Sequence, residues 1–316
     1  MKKLRLIKLA ATASAVAMLG ISTQAQTPLF QWNMDNASGS GAGLTIAPSY
    51  IDGSMTGGVF FQGNANNTIT TPASSGLTGG AGDLGVVQSS VYNAVSSTMV
   101  AGAGNLNTLG DFTLSLWFNL GGNYSTTPGS INARIFDVNT AVNGDGNELY
   151  FAINNWTNMQ FGVNNGANTG IIFGNGVQGN SAGAFSLFNN DISNMTNKWI
   201  YLAASYNTLN NGTVSLFEGS ASVAASLMGS LTNVGTISWS AATNFFMLAN
   251  RNTGNPNRGL PGTVDNVSLY SGAGDLTFID SIQNVPEPGT LALVGLGFGS
   301  LAAMIRRRQV CNKNRS

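Results

Sequence analysis

The stretch that decides the fold is "KWIYLAASYNTLNNGTVSLFEGS", Lys198–Ser220. Two runs rich in β-branched and aromatic residues flank the turn Asn207–Gly212. β-Branched and aromatic side chains favour extended backbone, while Asn and Gly tolerate the left-handed conformations a reversal needs. The stretch therefore predicts a β-hairpin. Working outward, the same signal recurs at Phe112–Leu120, Ala133–Val138, Glu148–Asn155, Met159–Asn165, Asn244–Arg251 and Gly262–Gly272. In the first of these, Phe112, Leu114, Leu116 and Phe118 alternate with Thr113, Ser115, Trp117 and Asn119, the period-two pattern of a strand with one apolar face. No long window shows a 3.6-residue period, and 41 glycines punctuate the chain. Many strands and no helix in the body predict an all-β sandwich or jelly roll.

The two ends differ from the body. Lys2, Lys3, Arg5 and Lys8 precede an apolar, Ala-rich run, and Thr23-Gln24-Ala25 places small residues where a signal peptidase reads. Residues 1–25 are expected to be a secretory signal peptide cleaved after Ala25. At the other end, Val285-Pro286-Glu287-Pro288 leads into an uncharged, proline-free run, Thr290–Ile305, closed by Arg306, Arg307 and Arg308. As a helix that run rises only ~24 Å, short of a ~30 Å hydrocarbon core. The arginines resist translocation, so the expected orientation is body outside, residues 310–316 in the cytoplasm.

Between these ends, residues 26–284 are expected to form one domain. They carry four cations, Arg134, Lys198, Arg251 and Arg258, against twelve carboxylates, a net charge of −8. Such a surface argues against nucleic acid or anionic lipid as a partner of the body. The body has no histidine, and Cys311 lies in the tail, so no disulfide can form within the exported domain.

The Pro-Glu-Pro element, apolar run and arginine cluster, residues 285–309, resemble the PEP-CTERM sorting signal of Gram-negative bacteria. The resemblance implies recognition and removal of the tail by exosortase, a protease-transpeptidase of the inner membrane, after transient anchoring there. It also implies an exopolysaccharide-producing, biofilm-forming setting. The body resembles the LamG-like, concanavalin A-like jelly roll from about Leu29 to Gly272. Trp199, Tyr206, Gly212, Phe217 and Gly219 occupy that family's hairpin positions, and Gly262, Asp265, Val267 and Tyr270 its closing strand. Phe30–Gly41 is similar to its first strand. Pro261, where the family usually has an aromatic, departs from the pattern.

Chemistry is sparse. Without histidine there is no histidine-based triad or zinc–histidine site, and without a body cysteine no thiol nucleophile. Enzymes of the resembled fold carry Glu-x-Asp-x-x-Glu on one strand, and no such run exists here. Glu148 and Glu218, the body's only glutamates, are far apart in sequence. Calcium takes six to eight oxygens. The resemblance implies a structural ion between first and last strands, which makes Asp35 and Asp265 its expected ligands. Asp145 and Glu148 in "NGDGNE" form a second acidic loop. Sugar rings stack on exposed aromatics, for which Trp117, Trp156 and Trp239 are candidates, whereas Trp199 reads as core. The expectation is a non-catalytic exported protein of the cell surface or matrix, carbohydrate-binding or adhesive, with extracellular polysaccharide as partner. The alternatives are a carbohydrate-active enzyme and a surface- or ice-binding protein, though no regular Thr-x-Thr array supports the last.

Overall fold

A computed structural model describes residues 26–35, 37–38, 45–62, 69–70, 86–88, 99–104, 106, 109–120, 132–139, 148–154, 158–164, 196–237, 243–248 and 262–283. The strands are β1 (Pro28–Trp32), β2 (Ala37–Ser38), β3 (Thr45–Ile46), β4 (Tyr50–Ile51), β5 (Phe60–Gln62), β6 (Ile69–Thr70), β7 (Val86–Gln88), β8 (Met99–Gly104) and β9 (Phe112–Leu120). They continue with β10 (Asn132–Asn139), β11 (Glu148–Asn154), β12 (Asn158–Asn164), β13 (Trp199–Asn207), β14 (Thr213–Ser220), β15 (Val223–Thr232), β16 (Thr243–Leu248) and β17 (Gly262–Ser271). Among the described residues a single helix, α1 (Leu276–Gln283), follows β17. The expected all-β sandwich is what the described residues form, with this one short helix added to it.

The strands build two antiparallel sheets. Sheet A runs β15-β14-β13-β9-β17-β1-β4, with β7 and β6 added beside β17. Sheet B runs β12-β11-β10-β16-β8-β5-β3-β2. The hairpin of the opening stretch forms β13 and β14, in register from Ile200↔Ser220 to Asn207↔Thr213. Its turn uses positive φ at Asn210 (54°), Asn211 (56°) and Gly212 (86°). At Gly212 a Cβ would lie 2.3 Å from the Gly235 carbonyl oxygen, so only glycine fits there.

The inner faces of the sheets share one core. Phe30 and Trp32 of β1, Leu114, Leu116 and Phe118 of β9, and Ile200 and Leu202 of β13 meet Phe60, Phe136, Phe151 and Phe246 of sheet B. Trp32 stacks on Phe30 at 5.2 Å and meets Phe246 edge-on at 5.1 Å, so β1 is the point where aromatic rings bridge the sheets. Its indole N–H donates to the Gly58 carbonyl at 2.7 Å, which satisfies the one polar atom of a fully buried side chain. The period-two alternation of β9 is thus realised, with Leu114, Leu116 and Phe118 turned inward.

Candidate functional site

Each sheet has an outer face, and the two are treated differently. On sheet A, α1 lies across the outward residues. Asp275 caps it, its carboxylate accepting the Phe278 N–H at 2.8 Å. Ile279 then closes a second apolar cluster of Trp117, Tyr201, Ala203, Phe217 and Ala225, with Trp199, Phe278 and Ile282 packed at its margin. Phe278 meets the Tyr270 ring edge-on at 5.2 Å. The helix ends on a polar clamp: the Gln283 amide N–H2 donates to the carbonyls of Ser220 (2.9 Å) and Val223 (2.8 Å). Gly219 makes room for it, since a Cβ there would sit 2.6 Å from Gln283 Nε2. Burial pushes the Tyr201 phenol above its ordinary range.

This arrangement corrects one expected binding residue. Trp117 does face outward from β9, as the alternation requires, but it is only 5% exposed and tilts against Tyr201 at 5.2 Å beneath α1. It is a packing residue and offers no free ring face. Trp199, expected in the core, is half-buried at the edge of the same cluster. Trp156, Trp239 and Asp145 lie outside the described residues, as do the expected signal peptide, residues 1–25, the sorting segment, residues 285–309, and the expected cytoplasmic tail, residues 310–316.

The outer face of sheet B is of another kind. Phe136, Val138 and Phe151 turn inward, so their neighbours Asp137 and Tyr150 take the outer face, where they pair across β10 and β11. Register continues this row to Met247 on β16 and Gly162 on β12. The next row holds Phe245, Asn139, Glu148 and Asn164. Further along, Ala152 pairs with Gln160 and Asn154 with Asn158. On β11 and β12 this row holds Tyr150 and Gly162, and register places Glu148, Ala152, Asn154, Asn158, Gln160 and Asn164 at the alternate positions of the two strands. The Tyr150 ring lies directly over Gly162, where an added Cβ would come within 1.9 Å of Tyr150 Cζ. Glycine within a strand commonly marks such a close approach. Asp137 is fully buried and Tyr150 is 5% exposed, so this row is shielded from water.

Register brings two acidic residues close together on adjacent strands. Asp137 pairs with Tyr150 and Glu148 with Asn139, which makes Asp137 and Glu148 diagonal neighbours on adjacent strands. Diagonal positions lie ~7–8 Å apart. The available signal was the strict alternation within "ELYFAIN" and "NMQFGVN", which names the outward set before any register is known. The other glutamate, Glu218, goes inside. It faces the core beside Leu202 and Leu216, is fully buried, and neither carboxylate oxygen has a hydrogen-bond partner. Desolvation pushes its pKa up to about 8.

The two expected calcium ligands differ in setting. Asp35 is exposed and accepts from Asn33 Nδ2 at 3.0 Å. Asp265 is fully buried on β17 opposite Trp117 and accepts the Asn266 N–H at 2.7 Å. Asn266 stands at φ 46°, within an irregularity of the β17–β9 pairing between Asp265 and Ser268. Among the described residues no group of three or more His, Cys, Asp or Glu is placed to hold a metal ion.

Comparison with known proteins follows the same lines. A profile described as the Concanavalin A-like lectin/glucanases superfamily matches residues 93–276, and one described as the PEP-CTERM protein-sorting motif matches residues 284–308. No curated protein matches in sequence. Similar solved structures include domain 4 of an extracellular GH43 arabinanase from Geobacillus stearothermophilus in complex with arabinotriose. It is 16% identical, with 81% of this chain and 98% of that one covered and a TM-score of 0.49. The binding domain of botulinum neurotoxin serotype G is 12% identical, covering 81% and 50%, with a TM-score of 0.47. A Trypanosoma rangeli sialidase is 10% identical, covering 82% and 33%, with a TM-score of 0.44. At these identities and scores nothing these proteins bind or cleave transfers to this chain. The two profile matches, on a body of two antiparallel sheets, identify the chain as a member of the concanavalin A-like lectin/glucanase superfamily that carries a PEP-CTERM sorting motif.

Proposed function

We propose that the body is a non-catalytic binding module, exported and sorted to the cell surface or extracellular matrix, and that it binds carbohydrate through the outer face of sheet B. The observation that carries this reading is the asymmetry of the two outer faces. Sheet A is closed by α1 and an apolar cluster. Register places Asn139, Glu148, Asn154, Asn158, Gln160 and Asn164 at alternate positions of β10–β12, flanking the buried Asp137–Tyr150 row. Rows of amides match the spaced hydroxyls of a polysaccharide, and a few placed polar groups are what orients such a ligand. The sorting motif implies processing by exosortase, and extracellular polysaccharide of the producing cell is the natural partner in that location. A glycan-array screen of the purified protein tests the reading. Binding that is lost in an Asn139→Ala/Asn164→Ala double variant supports it, and no binding to any polysaccharide rejects it.

One observation favours a second reading, glycoside hydrolysis. Asp137 and Glu148 occupy diagonal register positions on β10 and β11, so two residues of the type that glycoside hydrolysis needs stand on adjacent strands. Release of reducing sugar that disappears in Asp137→Asn would establish this reading over the first.

A further inference from the structure

The point where the chain leaves the body defines which side of the body meets the membrane. Gln283 is buried and doubly hydrogen-bonded to the β14–β15 turn. The apolar run of the sorting tail begins at Thr290, so only residues 284–289 lie between. Six residues reach at most about 20 Å when fully extended. A tether this short holds one end of sheet A at high effective concentration beside the bilayer and keeps the opposite end away from it.

The residues at the exit end suit an interface. The Ile200↔Ser220 pairing brings the start of β13 beside the β14–β15 turn, so Lys198 and Trp199 stand next to Ser220–Val223 and the α1 C-terminus. Val223 is 43% exposed, and Trp199 and Ile282 are half-buried. Of the four cations in the body, Lys198 is here, exposed, while the turn Ser220–Val223 carries no charge. Tryptophan beside aliphatic side chains is the set that settles at a headgroup layer, with the ring in the boundary. Asp280 on α1 is the one carboxylate within that helix and is half-buried. At the far end of the same hairpin stand Leu209, 67% exposed, and the Asn210–Asn211 turn.

We propose that, while the sorting tail is in the bilayer, the end of sheet A formed by Lys198, Trp199 and Val223 beside the α1 C-terminus rests on the lipid surface of that same membrane. This rests on the reading of the tail as an anchor. It turns the β13–β14 hairpin tip away from the lipid and fixes the orientation in which exosortase meets Val285-Pro286-Glu287-Pro288.

The test uses the whole chain, tail included, with Cys311→Ser so that an introduced cysteine is the sole thiol. A fluorophore is attached at Val223→Cys or at Leu209→Cys. Both sites are exposed and lie at opposite ends of β14, roughly 25 Å apart at ~3.3 Å per strand residue. The protein is reconstituted into phosphatidylethanolamine–phosphatidylglycerol vesicles carrying a headgroup quencher. The expected result is severalfold stronger quenching at position 223 than at 209, in protein that floats with the vesicles. Equal quenching at the two sites, or stronger quenching at 209, overturns the docking while leaving the anchor intact. Protein that does not float with the vesicles overturns both.

Discussion

Glu218 offers a quantitative test of the core. Its carboxyl is fully buried between Leu202 and Leu216 on the inner face of β14, with no hydrogen-bond partner. Burial of a charge without a partner raises the pKa, here from an ordinary 4.5 to about 8. Below pH 4.5 the group is protonated in both states and carries no ionic penalty. Between pH 4.5 and 8 the unfolded chain releases the proton and the folded one keeps it, so the unfolded state binds fewer protons and stability falls as pH rises. Above about 8 both are ionised and the loss levels off. The gap between about 8 and 4.5, at about 1.4 kcal/mol per pH unit, sets an upper limit of about 5 kcal/mol. Glu218→Met keeps the chain length, removes the charge and suits the aliphatic surroundings. Its melting temperature should match or exceed the parent's at pH 4.5. Its advantage should widen to on the order of 10 °C by pH 8, at about 2–4 °C per kcal/mol for a domain of this size. Thermal melts of both proteins across this range, followed by circular dichroism, supply the comparison. Melting curves that move in parallel with pH would refute the assignment of an unpartnered carboxyl to this position.

Other perturbations follow from the same structure. Gly162→Ala must displace the Tyr150 ring and should destabilise by about 1–3 kcal/mol; in a Tyr150→Ala background the same change should cost little, and an equal cost in both backgrounds would show that the two residues are not coupled. Gln283→Ala removes two hydrogen bonds that hold the end of α1 and should make the helix the first site of limited proteolysis, with an unchanged cleavage pattern as the contrary result. A calcium ion at Asp35 and Asp265 would bind only the folded state, so chelator should lower the melting temperature, and an unchanged melt rejects a stabilising ion there. Glu287→Ala should leave membrane insertion intact and impair processing in a host that has exosortase. Identical processing in hosts with and without the enzyme would reduce the tail to a plain anchor.

The parts of the fold legible in sequence are those written within one segment. The β13–β14 hairpin carries its own turn residues, and β9 carries its own alternation, so both could be read without a partner. β15 could not, because "VAASLMGSLT" is built of small residues and a bulge interrupts its pairing with β14 between Leu216 and Phe217. The helix was missed for a different reason. At eight residues it shows barely two turns of periodicity, though Asp275 as cap and Leu276, Ile279 and Gln283 on one face were there to be read. That miss also misplaced Trp117. An outward residue on a sandwich strand faces water only if nothing lies across the sheet, and whether a helix does so is decided by tertiary packing alone. The Asp137–Glu148 neighbourhood was illegible because it depends on register between β10 and β11, which are separated by a connection whose length says nothing of pairing.

The position of β17 sets the order of events during export. It lies between β9 and β1 in the middle of sheet A, and it is the last of the described strands to be made. The Gln31–Tyr270 hydrogen bond closes a loop of 239 residues. A chain threaded through the membrane from its N-terminus therefore carries β1 outside with an open flank until Tyr270 has followed, because long-range antiparallel pairing waits for its partner. Thr290, the first residue of the apolar run, comes only twenty positions after Tyr270. Completion of the central sheet and arrival of the stop signal are thus almost simultaneous. Anchored as the sorting motif implies, the tail would hold the chain at the membrane while the last edge pairs, so the sorting signal would double as a brake that gives the sandwich time to close.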